Sequence, residues 1–176
     1  NFLIFVLKKM VFSIYMYMIQ STTETNLTTF LCTEDNRIDT SVSSDKIRHL
    51  VKFINDMDKS IQYAYSTVHL IYDRYTKFVF DYNATPDVYT GKVNFKPSGS
   101  WKYEVYEVSW TGAVAISAGN APVTETDVLP VGPTHGVVQG IVTKGKMNVT
   151  DKTGTGQVQY TQHTEPSGDN YIWYGQ

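Results

Sequence analysis

The chain lacks the residues from which many small domains build their stabilising or catalytic devices. Cys32 is its single cysteine, so neither an internal disulfide framework nor a cysteine-rich zinc site can be assembled from it. Charged residues are 18% of the 176, and they balance to a formal net charge of −2. So neutral a chain has no overall attraction for a polyanion, and nucleic-acid wrapping driven by counterion release is disfavoured. Long apolar runs are also missing. The strongest apolar stretch, at the start, is interrupted by Lys8 and Lys9, whereas a spanning helix needs about 20 apolar residues in succession. As a secretory signal it is irregular, because the positive pair lies inside the apolar stretch and no small-residue cleavage site follows. Residues 1–18 are therefore set apart as an apolar segment, either an anchor or, preferably, upstream sequence translated with the gene. Met10, Met16 and Met18 are the candidate starts. On the preferred reading no membrane partner is expected.

What is present points to β structure. Aromatic residues make up 14% of the chain, 13 of them tyrosine, a composition neither disordered nor typical of helical bundles. Residues 27–33 are rich in β-branched and aromatic side chains and end at the turn-forming Glu34-Asp35-Asn36. A serine-rich link over 40–45 leads to a buried strand over 47–54. A polar turn over 55–59 then opens a hairpin into 61–68. Residues 75–82 place Phe78 and Phe80 on one face, a turn with Pro86 follows, and 88–95 reads as the next strand. The Lys96-Pro97-Ser98-Gly99-Ser100 turn leads into 101–110, where Trp101, Tyr103 and Val105 interleave with Tyr106, Val108 and Trp110. Both faces of that strand are expected to be covered somewhere along it. Three prolines and three glycines make 112–133 a long extended loop. Residues 136–149 form a strand pair or one long bent strand, with Gly140 and Gly145 as candidate bulges.

Roughly seven to nine short strands with Gly, Pro, Asn and Asp turns predict an all-β, immunoglobulin-like β-sandwich with a long loop. The sandwich domain is assigned to residues 19–150 and an extended C-terminal arm to 151–176. That arm is polar until the aromatic cluster Tyr171, Ile172, Trp173 and Tyr174.

Motifs for chemistry are weak. His49, His69, His135 and His163 have neither metal-ligand spacing nor a serine elbow, and are read as surface or loop residues. Asp56 and Asp58 lack the glycine and glutamate of a calcium loop and fit a polar turn. Glu104 and Glu107 fall on opposite faces of one strand, so they read as solvated charges rather than a carboxylate pair. The glycines at 145, 154 and 156 do not form a phosphate loop. No catalytic, cofactor-binding or metal residue is assigned, and no cofactor is expected. Core packing is the commoner role of such aromatics, but exposed tryptophans on a β face stack on sugars, so Trp101, Trp110 and the 112–133 loop are the candidates for a carbohydrate- or receptor-binding module.

Four stretches carry a resemblance: residues 50–59 (LVKFINDMDK), 72–78 (YDRYTKF), 89–95 (YTGKVNF) and 98–107 (SGSWKYEVYE). Together they resemble small virion structural proteins of tailed bacteriophages, including the crAss-like phages. In that family an "ND" turn precedes an "RY.KF" strand, a "GxV" strand and a "YxVYE" strand, and Gly145-Lys-Met-Asn-Val149 matches a later strand. The likeness covers about residues 19–150, and the long 112–133 insertion departs from the family's tighter pattern. It implies a non-enzymatic, capsid-associated protein of the virion, an auxiliary or decoration protein or a fibre adaptor in an oligomeric assembly. The implied partners are the major capsid protein or neighbouring copies, with no nucleic acid. Tyr171, Ile172, Trp173 and Tyr174 would bind such a partner by strand addition.

Overall fold

The computed structural model describes residues 18–72 and 75–153, and within them the chain is all-β. The strands are β1 (Ile19–Thr22), β2 (Leu27–Leu31), β3 (Ile47–Asn55), β4 (Ile61–Tyr65), β5 (Val68–Ile71), β6 (Thr76–Tyr82), β7 (Lys92–Val93), β8 (Gly99–Ser109) and β9 (Val137–Thr150). They form a five-stranded sheet in the order β1-β9-β8-β3-β4 and a second sheet in the order β2-β6-β5, with β7 added on β6. All neighbours are antiparallel except β1 on β9 and β7 on β6.

Period-two alternation explains how the sheets meet. On β3, Val51 and Phe53 point to the second sheet, and on β8 Trp101, Tyr103 and Val105 do the same. Leu27 and Leu31 of β2 and Phe78 and Phe80 of β6 answer them from the other side. Edge-to-face rings lock this core: Phe53 stands 5.3 Å from Phe80 and 4.9 Å from Phe95. Val108 from the other face of β8 and Trp110 just beyond its end join a second cluster on the outer face, with Leu50, Tyr65 and Ala121. Both faces of β8 are thus covered, as its two interleaved apolar sets require.

The long strand β9 is a single strand with irregular register. Its pairing with β8 shifts between Val105 and Tyr106 and again between Glu107 and Val108. Gly140 lies at this irregularity with φ of 147°, a conformation glycine adopts without strain, so the bulge expected there is present. Gly145 is not a bulge, since its pairing with Tyr103 is in continuous register. It is glycine because the Tyr103 ring lies over it, and a Cβ would meet that hydroxyl oxygen at 2.5 Å.

Two strand boundaries differ from expectation. Residues 61–68 are not one strand: the chain leaves the first sheet after Tyr65 and starts β5 in the second sheet at Val68. Ser66 and Thr67 make the crossing, with both side-chain hydroxyls donating to the Val79 carbonyl, 3.0 Å each. Of 88–95 only Lys92–Val93 is strand. Asp87 folds the preceding residues into a turn by accepting from the Tyr89 N–H (3.0 Å) and the Thr90 hydroxyl (2.8 Å).

That turn closes one flank of the molecule. The Tyr65 N–H donates to the Val88 carbonyl (2.8 Å), and the Asn94 N–H donates to Gln62 Oε1 (2.9 Å). Gln62 Nε2 returns a bond to the Asn94 carbonyl. Among the described residues the opposite flank is open. There β1 and β2 are the outermost strands of their sheets, joined by the turn at 23–26.

Candidate binding surfaces

The long loop between β8 and β9 lies on the outer face of the five-stranded sheet. Val114, Ile116 and Ala121 pack over Leu50, Val108 and Trp110. A polar network holds the loop down. Glu125 accepts from Lys52 Nζ on β3 (2.5 Å) and from the Tyr63 hydroxyl on β4 (2.5 Å). Tyr106 on β8 donates to Glu104 Oε2 (2.8 Å), which is 3.8 Å from the same Lys52. Partial burial acts to raise the Glu125 carboxyl, but its bonds from Lys52 and Tyr63 outweigh that and hold it below the ordinary carboxylate range. The Glu125 bond raises Lys52 in turn. Every charge here faces a partner, so the network is a clasp for the loop rather than a poised acid and base.

Where that loop returns to β9 it forms one wall of a groove of about 390 Å³, and the β2–β3 connection forms the other. Asp39, Ser109, His135 and Gln139 supply its polar groups, and Leu129 and Val131 its apolar ones. The β2–β3 connection is fixed from beneath by Glu107, whose buried carboxylate accepts from the N–H groups of Ile38 (2.9 Å) and Asp39 (2.7 Å). Asp39 itself accepts from the Ser41 hydroxyl at 2.5 Å. That bond, with a second from Ser109, keeps its carboxyl below the usual range. Gln139 Nε2 donates to Ser109 Oγ (2.8 Å). His135 Nδ1 is buried and has no hydrogen-bond partner among the described residues. A carboxylate, an amide and an imidazole beside an aliphatic wall are suited to a ligand rich in hydroxyl or amide groups.

Among the described residues the second sheet has an uncovered outer face. Phe30, Lys77 and Leu70 stand abreast on β2, β6 and β5, with Val68, Tyr72 and Tyr75 around them. Phe30 is 55% exposed, although Tyr75 meets it edge-on at 5.4 Å.

The residues singled out in the sequence fall as follows. Tyr171, Ile172, Trp173 and Tyr174 lie outside the described residues, as does His163. Trp101 and Trp110 are both fully buried, so neither can stack on a ligand; the 112–133 loop is what remains of that candidate set. Glu107 is not a solvated charge, because its strand position turns it between the sheets. His49 and His69 are not surface residues. They project from β3 and β5 into the interior, where His49 Nδ1 and His69 Nε2 are 2.8 Å apart and the edge of Phe78 seals them. Burial, followed by its charged neighbours His69 and Arg48, pushes His49 well below the ordinary histidine value. Burial, then Arg48, lowers His69 to about 4. Asp56 pairs with Lys102 (2.9 Å) and Asp58 accepts from the Ser60 N–H (2.9 Å), both in the turn before β4. Among the described residues no group of three His, Cys, Asp or Glu side chains is placed to hold a metal ion.

The signal for the buried polar residues was present in the alternation. His49 shares a face with Val51 and Phe53, and Glu107 with Val105 and Trp101. Only the pairing of distant strands reveals their partners. No known protein family, curated protein or solved structure matches this chain.

Proposed function

We propose that this chain is a non-enzymatic virion structural protein of a tailed bacteriophage, an auxiliary or decoration protein of the capsid or a fibre adaptor. The observation that carries the reading is the bare face of β2, β6 and β5. Phe30, Leu70, Tyr72 and Tyr75 stand partly exposed around Lys77 on this face, an apolar and aromatic surface of the kind a partner covers. The strand order supports an immunoglobulin-like assignment. Lettered A′ to G along the chain, with β7 left as part of the E–F connection, it gives A′GFCC′ packed on BED. Such sandwiches serve as interaction modules of many kinds, so the fold fits the role without specifying it. Tyr171, Ile172, Trp173 and Tyr174 form the arm that adds to a neighbouring virion protein, and the assembly is oligomeric.

Cryo-electron microscopy of the native particle tests this reading. Ordered copies on the capsid, with the β2–β6–β5 face against a neighbour, are the expected result. A particle without density for this chain overturns it.

A second reading is favoured by one observation, the groove between the β2–β3 connection and the long loop. There Asp39, Gln139 and His135 converge on a space large enough for one sugar unit or a short peptide. In that reading the chain is a carbohydrate- or receptor-binding module. A glycan array decides it, with loss of signal in Asp39→Ala expected and silence across bacterial polysaccharides counting against it.

A further inference from the structure

Among the described residues one hydrogen bond ties β5 to the first sheet, and it joins two imidazoles. β5 is four residues long, stands at the edge of its sheet and pairs with β6 alone. Val68 and Leu70 face outward, while His69 points into the sandwich, where its Nε2 lies 2.8 Å from Nδ1 of His49 on β3. Each ring also meets the fully buried Phe78 ring edge to face at 5.6 Å. The bond depends on protonation. A neutral pair has one N–H donating to one bare nitrogen, and a first added proton keeps that arrangement, since a cationic imidazole still donates to a neutral one. A second proton sets two N–H groups and two like charges against each other in a buried site.

Among the described residues the charged groups beside the pair are Arg48 and Glu107. Arg48, on β3, opposes protonation, and its guanidinium donates to the Asp45 and Ile47 carbonyls. Glu107, abreast of His49 on β8, favours it, but both carboxylate oxygens already accept N–H groups of the β2–β3 connection. On β6 the residue abreast of His69 is Phe78, and beyond it on β2 stands Thr29, neither of them charged. Burial outweighs Glu107, so the pair is neutral at pH 7.

We propose that the His49–His69 pair is an acid-sensitive latch, whose protonation releases β5 from the sandwich while the remaining strands stay folded. His69 is the half that leaves: its ring is half-buried and its strand is short and peripheral, whereas His49 is 2% exposed on the nine-residue β3. Any state in which His69 reaches water regains an ordinary affinity for protons, so acid favours every such state. Releasing β5 breaks a single ladder, far less than unfolding the domain, and that state is therefore the first to be populated. The device goes beyond the virion reading and does not depend on it. Whatever covers the outer face of the second sheet, release of β5 withdraws Val68 and Leu70 from that face.

Residue-resolved hydrogen exchange of the full chain at about pH 7 and about pH 4, each corrected for the chemical exchange rate, tests the latch. At the higher pH the β5 amides bonded to β6 are expected to be at least about tenfold protected; at the lower they exchange nearly as in an unfolded chain, while the β3–β8 amides keep about hundredfold protection or more. β5 amides equally protected at both values overturn the latch. Protection lost from all strands together overturns it too, because the transition is then global. His69→Gln supplies the control, since glutamine can still bond His49 but does not titrate. Its β5 amides are expected to stay protected at the lower pH, and loss as in the parent chain would assign the release to other groups and overturn the pair's role. If that variant does not fold, the ring signals of His69 in the parent chain decide. Protonation of the ring together with loss of β5 protection is the expected result, and a ring that titrates while β5 stays protected overturns the proposal.

Discussion

The two flanks of this molecule solve the same problem in opposite ways. A pair of facing sheets leaves two open sides, each with unpaired strand edges. Between β4 and β6 the chain closes its own side with the 87–94 connection, using Tyr65, Gln62 and Asn94 as ties. Between β1 and β2 no described residue does so, although Ile19 and Leu31 of the core line the groove there. The difference teaches that edge protection here is a local choice of connection and not a property of the sheets. Among the described residues, one edge is tied by a connection of the chain and the other is not.

Substitutions at matched positions break this comparison open, and the largest effect belongs to the closed flank. Tyr65 is buried, bonds Val88 through its N–H, and donates its hydroxyl to the Pro122 carbonyl (2.8 Å), joining the closed flank to the long loop. Tyr65→Ala should cost about 3–5 kcal/mol, the range for emptying a large buried aromatic site. Denaturant unfolding measures it, and a loss below about 1 kcal/mol would mean the flank is not held there.

The next effect is a pH dependence, at the tie inside the sandwich. His49 and His69 bridge the two sheets, and burial lowers both pKa values below the unfolded value near 6.5. The unfolded chain therefore binds protons that the folded chain refuses. Stability is full above about pH 6.5 and is lost as pH falls towards about 4, the value reached by His69. The loss attributable to His69 is about 3 kcal/mol over that window. Unfolding curves across pH 7 to 4 check the slope, and in His69→Phe the slope should flatten. An unchanged slope would assign the pH dependence to other groups.

Gln62→Ala removes both bonds to Asn94 and should cost about 1–3 kcal/mol. Hydrogen exchange sharpens the point: the Asn94 amide, protected by Gln62 Oε1, should exchange faster in the variant while the β3–β8 amides are unchanged. Equal acceleration everywhere would show global rather than flank-local loosening.

The smallest effect on stability is expected at the open flank. Phe30→Ala should change the unfolding free energy by no more than about 0.5 kcal/mol, as for surface positions generally. Its consequence is predicted in association instead, read by sedimentation. A large stability loss with association intact would reverse the assignment of roles to the two flanks.

Much of this architecture was legible in the sequence, for a physical reason. Side chains alternate along a strand, so β3, β6 and β8 announced themselves through Val51 and Phe53, Phe78 and Phe80, and the two interleaved sets of residues 101–110. The long loop announced itself through its prolines. Glycine 140 was legible as a bulge because a positive φ is a local demand. Glycine 145 was misread, since its requirement comes from Tyr103 on another strand. Trp101 and Trp110 were read as candidates for stacking on a ligand although core packing is the commoner role of such residues, because alternation tells which residues share a face but not what covers that face. The 88–95 segment had the composition of a strand, and Asp87 with Gly91 turned most of it into a connection.

By itself, then, the sequence determined where most strands form, though not β1 or the ends of the 61–68 and 88–95 segments, and that no internal disulfide scaffold holds them together. These are consequences of residue-by-residue geometry and of a single cysteine. Only the tertiary structure decided that His49 meets His69, that Glu107 fastens the β2–β3 connection, that the long loop lies over Trp110, and that residues 87–94 tie one flank. Each of those depends on which distant strands become neighbours, and strand pairing is set by the packing of the whole core rather than by any segment that enters it.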